Sequence, residues 1–500
     1  MSSEAAGTSF RAGRETFFFV LLLVAAAVVY LFRIGYSDIW IDESLTKAIV
    51  RHSLPDLLRL VAHDSHPPLY FIALKGFTAI VGNTDFTIRL FSVIGALAML
   101  VLSTVLGRRV FGPRVALWLG VLLLALPMPG LYSHVARMYT WAAFAVLGVF
   151  LYATLHAREG RFATLAGLGL FSVMAAYLHY FSLMAAFWID AALLIHLLMK
   201  RDRRWRGVAV MGAAVAVATL PWILVFLRQA ETVGKDFWIP PLSWEGLMTC
   251  YVFPLGGLYR LYGVSWILAL VIYGFALAGV VSACVTGRQD DRRAIVFALV
   301  GFHATVVTAA VVSLVFRPVL YPRYLMAVAP LLMVPPVVMM ARWRARWLAV
   351  AATGGLLAGG LFVVYSESSF SFGPNQLALR TLARTHPEVV KVLHLNEVTG
   401  GPFAEYGRGG PWKQYYLNNA GTSWYSNMAA FDDMVPVKDL GEVVEDGEVF
   451  CVVEFAVFSL NGQNMALIAS RSEPLAVEEI RDEKSSGAVV LKLNILKARF

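Results

Sequence analysis

The chain has 500 residues, of which 58% are hydrophobic and only 15% are charged, and its mean hydropathy is +0.66. A soluble protein cannot bury so large an apolar fraction, so the composition excludes a soluble fold and predicts an integral membrane protein with helical spans. The net charge is +9, but the basic residues cluster in short loops between apolar runs. That distribution is typical of a topology signal and argues against a nucleic-acid-binding surface.

Eleven apolar runs are expected to cross the membrane. Their approximate bounds are 16–34, 89–107, 115–128, 139–156, 164–181, 182–199, 207–228, 262–286, 294–316, 324–341 and 347–365. The first run lacks a convincing small-residue cleavage site, so we expect it to be a retained span and not a cleaved signal. The basic loops all fall on one side of the membrane if Leu69–Val81 does not cross. With about 13 residues, against the ~20 that a spanning helix needs, this run is expected to be interfacial or re-entrant.

This topology predicts two regions outside the membrane. Residues 35–88 form one long outer loop that belongs to a helical membrane module over residues 1–365. From residue 366 to residue 500 the charge rises and the apolar runs shorten, which predicts a soluble α/β domain. The glycines between Gly400 and Gly410 predict a loop within that domain. The fold class is therefore mainly α, a polytopic helix bundle followed by an extracytoplasmic α/β domain.

The first outer loop carries an acidic pair, Asp42 and Glu43, directly after the first span. A carboxylate in a water-facing membrane cleft can serve as a general base, a metal ligand or the partner of a cation. Successive helical residues project about 100° apart, so the two acids cannot form a facing dyad. The structural alternative is that Asp42 is the N-cap of an amphipathic helix over Glu43–Leu60, broken near Pro55, while Glu43 favours the helix dipole.

A second cluster on the same loop consists of His63, Asp64 and His66, followed by Pro67 and Pro68. Two histidines three residues apart could contribute to a metal site, but a complete site needs further ligands, so a divalent metal stays open. The alternative is that these are hydrogen-bonded loop residues ahead of a proline stop.

The cysteines offer no further site. There are three, Cys250, Cys284 and Cys451, without metal-ligand spacing. Cys250 and Cys451 would both lie outside the membrane, so a bridge between them stays open.

Three arginines are expected in the shorter outer loops, where the positive-inside rule disfavours them: Arg137, and Arg317 and Arg323 in the loop before the tenth span. Arg137 lies between His134 and Tyr139, and Arg323 lies between Tyr321 and Tyr324. A fixed guanidinium in such a place suits an anionic phosphate. The alternatives are a snorkelling arginine at the end of a span and an interfacial belt of tyrosines.

These motifs together carry a resemblance to a known family. They are Trp40-Ile41-Asp42-Glu43, His66-Pro67-Pro68-Leu69, Ala136-Arg137-Met138-Tyr139, Leu220-Pro221-Trp222 and Tyr321-Pro322-Arg323-Tyr324. In order and outer location they resemble the polyprenyl-phosphate-sugar-dependent glycosyltransferases of the GT-C fold, in particular the bacterial branch of family 39. That branch is similar to protein O-mannosyltransferases, the lipid A aminoarabinose transferase and the rhizobial lipid A galacturonosyltransferases. The resemblance covers roughly residues 16–365.

The resemblance implies roles for particular residues. Asp42 would be the general base of an inverting sugar transfer, and Glu43 would orient the acceptor or a metal. Arg137 and Arg323 would contact the phosphate of the donor. The remaining residues expected to line the substrate site are His63, Asp64, His66, His134, Tyr139, Tyr321 and Tyr324.

The resemblance also implies the partners and the location. The donor would be a polyprenyl-phosphate sugar, and the acceptor an extracytoplasmic hydroxyl of a glycan, a lipid or a protein, with no nucleic acid involved. The protein would lie in the bacterial inner membrane with its N-terminus in the cytoplasm. The alternative function is a transporter or flippase of a lipid-linked saccharide, which should carry polar groups near midspan, where the sequence offers Asp190.

Overall fold

The apolar runs of the chain form α-helices, which satisfy every backbone amide and carbonyl group within the segment. The computed structural model describes residues 2–232, 239–256, 262–286, 289–340, 346–367, 373–395, 397–417, 430–455, 462–481 and 489–499. Sixteen helices precede residue 368 within these residues. They are α1 (Ser2–Leu31), α2 (Ile41–Ile49), α3 (Leu54–His63), α4 (Leu69–Val81), α5 (Asp85–Phe111), α6 (Pro113–Ala125), α7 (Pro127–Ser133), α8 (Tyr139–Glu159), α9 (Phe162–Leu178), α10 (Tyr180–Met199), α11 (Trp205–Thr232), α12 (Trp244–Gly256), α13 (Tyr262–Thr286), α14 (Gln289–Val315), α15 (Val334–Met340) and α16 (Arg346–Glu367).

Each of the eleven predicted spans coincides with helical structure. Among the described residues, eight helices are long and apolar enough to cross a membrane, and α6 with α7 makes a ninth if that pair, bent by 62°, is one broken span. The two remaining predicted spans are shorter, at Phe162–Leu178 and Ala329–Met340. The last of these begins with 3-10 turns, Pro322–Ala327 and Ala329–Met333, before α15. The prediction of a polytopic helix bundle is confirmed.

The first outer loop folds into three helices between α1 and α5. The helix expected over Glu43–Leu60 is interrupted near Pro55, as expected, and the break lies just before this proline, because α2 ends at Ile49 and α3 begins at Leu54. The Ser53 hydroxyl accepts from the Asp56 amide, so Ser53 is the N-cap of α3. A proline in the first turn suits a helix start, so Pro55 lies where it favours the start of α3. The short run Leu69–Val81 is helix α4, with the predicted bounds.

The C-terminal part of the chain forms an α/β unit, as predicted. Its described elements are α17 (Asn375–Thr385), β1 (Lys391–His394), α18 (Glu397–Tyr406), β2 (Lys413–Leu417), β3 (Met434–Val437), a 3-10 turn (Leu440–Glu442), β4 (Val449–Phe455), α19 (Gly462–Ser470), β5 (Ser472–Arg481) and β6 (Val489–Ala498). In the described residues the strand order is β3-β2-β1-β4-β6-β5. The four strands from β3 to β4 run parallel, and β6 is antiparallel to both of its neighbours.

Both faces of this sheet are covered. Alternate residues of a strand point to opposite faces: Val392 joins one buried cluster with helices α17 and α18, while the next residue, Leu393, joins a second cluster on the other face. Cys451 is buried in the first cluster. It is a free thiol, as are Cys250 and Cys284, so the bridge between Cys250 and Cys451 is absent.

Candidate active site

Three side chains from distant parts of the sequence meet at one end of the bundle. This is the end that the arginine distribution predicts to face outward, and it is called the outer end below. Asp42 lies in the first turn of α2, Arg137 lies just before α8, and Arg323 lies at the start of the 3-10 turn after α14. The Asp42 carboxylate accepts from Arg137 Nη2 through Oδ1 at 2.9 Å and from Arg323 Nη1 through Oδ2 at 3.1 Å. The three residues expected to form the reaction centre are therefore in direct contact.

Helix α2 sets the direction of the Asp42 side chain. The N-cap residue is Trp40, so the alternative in which Asp42 caps the helix is wrong. Asp42 is the second residue of α2, where a carboxylate favours the positive end of the helix dipole. Its side chain is 23% exposed, against 3% for Arg137. The carboxylate therefore has access to a ligand, while its arginine partner is fixed in the protein.

Charge decides the protonation state of Asp42. Burial alone would raise the pKa of this carboxyl, but the positive charges of Arg137 and Arg323 outweigh burial and lower the pKa below its ordinary value. Asp42 is thus ionised when the site holds no ligand. Since both of its oxygens are bound by guanidinium groups, it is a weak base in this state.

Glu43 occupies a different environment from its neighbour. Its side chain is 2% exposed and forms a bidentate pair with Arg89 of α5, with Nε–Oε1 and Nη2–Oε2 distances of 2.8 Å each. The Ala136 amide also donates to Oε1, at 3.0 Å. Both carboxylate oxygens are thus occupied by protein donors, so Glu43 ties α2 to α5 and to the segment that carries Arg137.

Arg89 extends this tie to the chain that leads into α2. Its Nη1 donates to the carbonyls of Ile34 and Ser37, each at 2.9 Å, and its Nη2 donates to the carbonyl of Asp38 at 3.2 Å. One buried guanidinium therefore holds both the entry to α2 and its first turn.

Asp64 and His66 stand beside Arg137. Both are buried; Asp64 Oδ2 lies 3.3 Å from His66 Nδ1 and 3.8 Å from Arg137 Nη1. Burial would raise the pKa of Asp64, but His66, Arg137 and a bond from the Ser65 amide hold it at about 2. Among the described residues, Nε and Nη1 of Arg137 have no hydrogen-bond partner. A buried guanidinium with spare donors next to two carboxylates is suited to an additional anion.

Aromatic rings complete the surroundings of the three charged residues. The Arg323 guanidinium lies 5.4 Å from the ring centre of Trp40 and 5.1 Å from that of Tyr321, a cation–π arrangement that holds it over Asp42. Tyr139 and Tyr324 are buried, and their rings pack against His179 at 5.8 and 5.1 Å.

An apolar cavity of about 250 Å³ opens beside this cluster. His66, His179 and Tyr324 line its polar end. The rest of its wall comes mainly from apolar residues of α10, α11 and α14, namely Phe181, Leu183, Met184, Ile223, Phe226, Ala309 and Val312. The site therefore joins a charged centre to an apolar chamber.

Two of the residues expected at the site bond to backbone carbonyls and not to its charged groups. His63 is exposed, and its Nδ1 bonds to the carbonyl of Arg59 within α3 at 2.7 Å. The Nε2 of His134 bonds to the Tyr30 carbonyl at 3.0 Å, and burial lowers the pKa of His134 to about 4. His63 and His66 do not converge on one ion. Within the described part of the chain, no group of three or more His, Cys, Asp or Glu side chains could hold a metal ion.

Several residues of the site are not singled out by the sequence. Arg89 stands at the edge of a predicted span, and an arginine inside an apolar helix is itself a signal for a buried partner. Trp40 stands out in the sequence only as part of a motif. Gln229 of α11 donates to the carbonyl of Asp64 at 2.5 Å and to that of Val61 at 3.2 Å, a contact that no local pattern predicts.

The C-terminal unit contacts the same loop. The Tyr406 hydroxyl accepts from the Ile39 amide at 2.8 Å and donates to Asp85 at 2.9 Å. The Gln376 amide donates to Asp38 at 2.8 Å. Helix α18 packs on α2 so closely that a Cβ at Gly401 would lie 2.5 Å from the Ser44 hydroxyl. These residues of the C-terminal unit therefore hold the segment just before Asp42 in place.

Comparison with solved structures identifies the fold. The crystal structure of ArnT from Cupriavidus metallidurans bound to undecaprenyl phosphate matches with a TM-score of 0.61 and 15% identity, over 96% of this chain and 98% of that chain. Its apo form matches with a TM-score of 0.60 and 16% identity over the same shares. The chain has the GT-C fold. The Archaeoglobus fulgidus oligosaccharyltransferase in complex with Zn and sulfate matches this GT-C chain with a TM-score of 0.54 and 11% identity, over 94% of this chain and 73% of that chain. No protein-family model and no curated protein sequence matches.

Proposed function

We propose that this protein is a membrane glycosyltransferase that moves a sugar from a polyprenyl-phosphate donor to a hydroxyl of an extracytoplasmic acceptor. The observation that carries the proposal is the ionised Asp42 held between Arg137 and Arg323 at the outer end of a GT-C bundle. The similar ArnT from Cupriavidus metallidurans binds undecaprenyl phosphate in its crystal structure, which agrees with a donor of this class.

The donor would use both halves of the site. Its phosphate would bind Arg137 and Arg323, since a guanidinium group binds phosphate oxygens in bidentate geometry. The end of its prenyl chain nearest the phosphate would lie in the apolar cavity beside His66 and Tyr324. A soluble nucleotide sugar would leave that apolar wall without a partner, so the cavity favours a lipid-linked donor.

The proposed reaction needs only Asp42, the two arginines and the two substrates. Asp42 accepts the proton of the acceptor hydroxyl while the hydroxyl oxygen bonds to the anomeric carbon. The bond from that carbon to the phosphate oxygen breaks, and the phosphate keeps the electron pair. Arg137 and Arg323 stabilise the negative charge that develops on the leaving polyprenyl phosphate. Attack from the face opposite the phosphate inverts the anomeric configuration.

Donor binding would also activate the base. In the unliganded site the two arginines lower the pKa of Asp42. A phosphate that takes over part of their hydrogen bonding and charge would let the pKa of Asp42 rise toward its ordinary value. The Asp42 carboxylate would then be a stronger base when the donor is bound than when it is absent. Deprotonation of the acceptor hydroxyl would therefore be favoured when a sugar is present to be transferred.

Glu43 would support this chemistry without touching the substrates. Its oxygens are bound by Arg89 and by the Ala136 amide, so it positions both α2 and the segment that leads to Arg137. This role replaces contact with an acceptor or a metal. His63 and His134, which bond to the carbonyls of Arg59 and Tyr30, are likewise left out of the proposed substrate site, while Asp64 and His66 belong to it.

The test uses the purified full-length protein in nanodiscs with a synthetic undecaprenyl-phosphate sugar and a mixture of candidate acceptors from the cell envelope. We expect free undecaprenyl phosphate and a glycosylated product whose anomeric configuration, measured by NMR, is inverted. A retained configuration would exclude direct attack assisted by Asp42.

The transporter alternative predicts a different result. In proteoliposomes, a flippase would move an intact labelled lipid-linked saccharide across the bilayer and break no glycosidic bond. Intact transport without release of undecaprenyl phosphate would overturn the glycosyltransferase proposal. The polar group near midspan that a transporter would use is Asp190 inside α10, which accepts from the Ser172 hydroxyl at 2.8 Å. The charged groups described above lie instead at the outer end.

A further inference from the structure

A second and larger cavity lies at the end of the bundle opposite Asp42. It has a volume of about 490 Å³ and is formed by α10 and α14. Helix α10 begins at Tyr180, which lines the apolar cavity of the outer end, and ends at Met199, which lines this one. Its 20 residues span about 30 Å, the thickness of the hydrocarbon core of a bilayer. The two cavities therefore lie at opposite membrane surfaces, and the basic loops predict that this surface is cytoplasmic.

The cavity has an apolar part and a basic rim. Trp188, Ile195, Val296 and Phe297 form apolar wall along the two helices. The rim, at the end of α10 and the start of α14, carries His196, Lys200, Arg292 and Arg293. An elongated apolar wall that ends in cationic groups matches the shape of a phospholipid, with an acyl chain along the helices and a phosphate at the surface.

The arginines of the rim differ in how they are engaged. Arg292 is committed to α13, since it donates to the carbonyls of Ala283 and Cys284. Arg293 is only 12% exposed and pairs with Asp290 through Nη2 at 2.6 Å. Its buried Nε has no hydrogen-bond partner among the residues that the structure describes. Arg293 can therefore bind a second anion while it keeps Asp290.

Two further residues lie at the same rim: Lys200 supplies a positive charge and His196 a hydrogen-bonding group. Lys200 is exposed at the C-cap of α10, and His196 packs edge-on against Phe297 with ring centres 6.0 Å apart. Two carboxylates oppose them, Asp290 and Asp291 in the first turn of α14. The three cations Lys200, Arg292 and Arg293 exceed these two carboxylates by one, so the rim keeps a net positive charge.

We infer that this cavity binds an anionic phospholipid of the cytoplasmic leaflet, with its phosphate at Lys200 and Arg293 and an acyl chain between α10 and α14. Basic pockets between membrane helices on the cytoplasmic side are suited to anionic headgroups. The apolar wall adds the contact that a free phosphate ion could not use. The site is independent of the sugar-transfer centre, since it stands on residues of the opposite surface and its test needs no activity.

The test is lipid binding to the full-length protein, measured by native mass spectrometry in detergent with phosphatidylglycerol and phosphatidylcholine of the same acyl chains. We expect phosphatidylglycerol to bind at least about tenfold more tightly, since each basic residue near the surface contributes severalfold to affinity for an anionic lipid. Lys200→Gln/Arg293→Gln should remove most of this preference. The control Arg108→Gln/Arg109→Gln changes two arginines that pair with Glu15 and Glu159 and should retain it.

A second variant covers the case in which the double substitution fails to fold. Ile195→Trp fills the apolar part of the cavity and leaves every charge in place, so it should reduce binding of both lipids at this site. Equal binding of the two lipids by the parent protein would overturn the inference, as would a preference that survives in Lys200→Gln/Arg293→Gln. Displacement of phosphatidylglycerol by millimolar inorganic phosphate would assign the rim to a free anion and would also overturn it.

Discussion

Asp42 and Glu43 are neighbours in the first turn of α2, yet their side chains lie in two different environments. Asp42 is 23% exposed, between two arginines beside a cavity, whereas Glu43 is 2% exposed and bound by Arg89 and a backbone amide. The partners of Asp42 can be shared with an incoming anion, and those of Glu43 cannot. In the proposed reaction the partly exposed acid, Asp42, therefore carries the chemistry, and the enclosed acid, Glu43, fixes the position of its neighbour.

The largest expected effect comes from Asp42→Asn. Asparagine keeps the size and one acceptor but cannot take a proton, so sugar transfer should fall about 10²–10⁴-fold, the range expected for loss of a general base. The thermal unfolding temperature should fall less than for a variant of the enclosed Glu43, because Asp42 is partly exposed and Asp64 still lies 3.8 Å from Arg137. The control Asp56→Asn changes a carboxylate of the same loop whose side chain is 41% exposed, and it should retain activity. Full transfer by Asp42→Asn would exclude it as the base.

Glu43→Gln should act on stability first. It leaves Arg89 buried without a counter-charge, a change that costs about 3–5 kcal/mol when a buried pair loses one partner. Denaturation in detergent should show this loss, while the folded fraction should keep more activity than Asp42→Asn. The double variant Glu43→Gln/Arg89→Met should recover part of the stability, because no charge is then left unpaired. A fully stable Glu43→Gln with abolished transfer would instead give Glu43 a direct chemical role.

Arg323→Ala should chiefly weaken donor binding. Loss of a charge-assisted hydrogen bond costs about 1.5–3 kcal/mol, so the KM for the polyprenyl-phosphate sugar should rise roughly 10- to 100-fold. Arg33→Ala is the matched control at the same end of the bundle, since this guanidinium lies over the rings of Tyr36 and Tyr365. An unchanged donor KM in Arg323→Ala would remove Arg323 from the phosphate site.

The smallest expected effect is on the pH profile. In the free protein the pKa of Asp42 lies below its ordinary value, so the acid limb of kcat/KM for the donor should be displaced to low pH. Bound phosphate weakens the attraction of the arginines for the Asp42 carboxylate, so the acid limb of kcat should lie at higher pH than that of kcat/KM. Coincident limbs would mean that the donor phosphate does not act on Asp42.

Much of the fold could be predicted from the sequence. Hydropathy and the placement of arginines indicate eleven helical segments that cross the membrane and indicate that Leu69–Val81 does not cross. Both signals can be read from local composition, because the bilayer selects for apolar length and for the side of the basic residues. The break between α2 and α3 could also be predicted, since Pro55 indicates its approximate place, and Ser53 and Pro55 are local signals for the start of α3. Strand order in the C-terminal sheet has no such local signal, since it depends on pairing between distant segments.

The site was only partly predictable for the same reason. Asp42, Arg137 and Arg323 could be chosen from motif order and an outer location, and the structure brings them together. The bond between Glu43 and Arg89 joins positions 46 residues apart, which no pattern reveals. The expectation of a loop at Gly400–Gly410 is wrong over its first half, because α18 runs to Tyr406. There the glycine serves close packing, since any side chain at Gly401 would collide with Ser44 and Ile41.

The contact of Tyr406 with Ile39 joins residues 367 positions apart, and that of Gln376 with Asp38 spans 338 positions. A ribosome that adds about 5–20 residues per second needs roughly 20–70 s to make the chain between Ile39 and Tyr406. Throughout that time the nascent protein already holds its first span, but the segment ahead of Asp42 lacks these bonds. The proposed reaction centre is thus completed only when nearly the whole polypeptide has been synthesised. A truncated product would enter the membrane without the bonds that hold the segment ahead of Asp42.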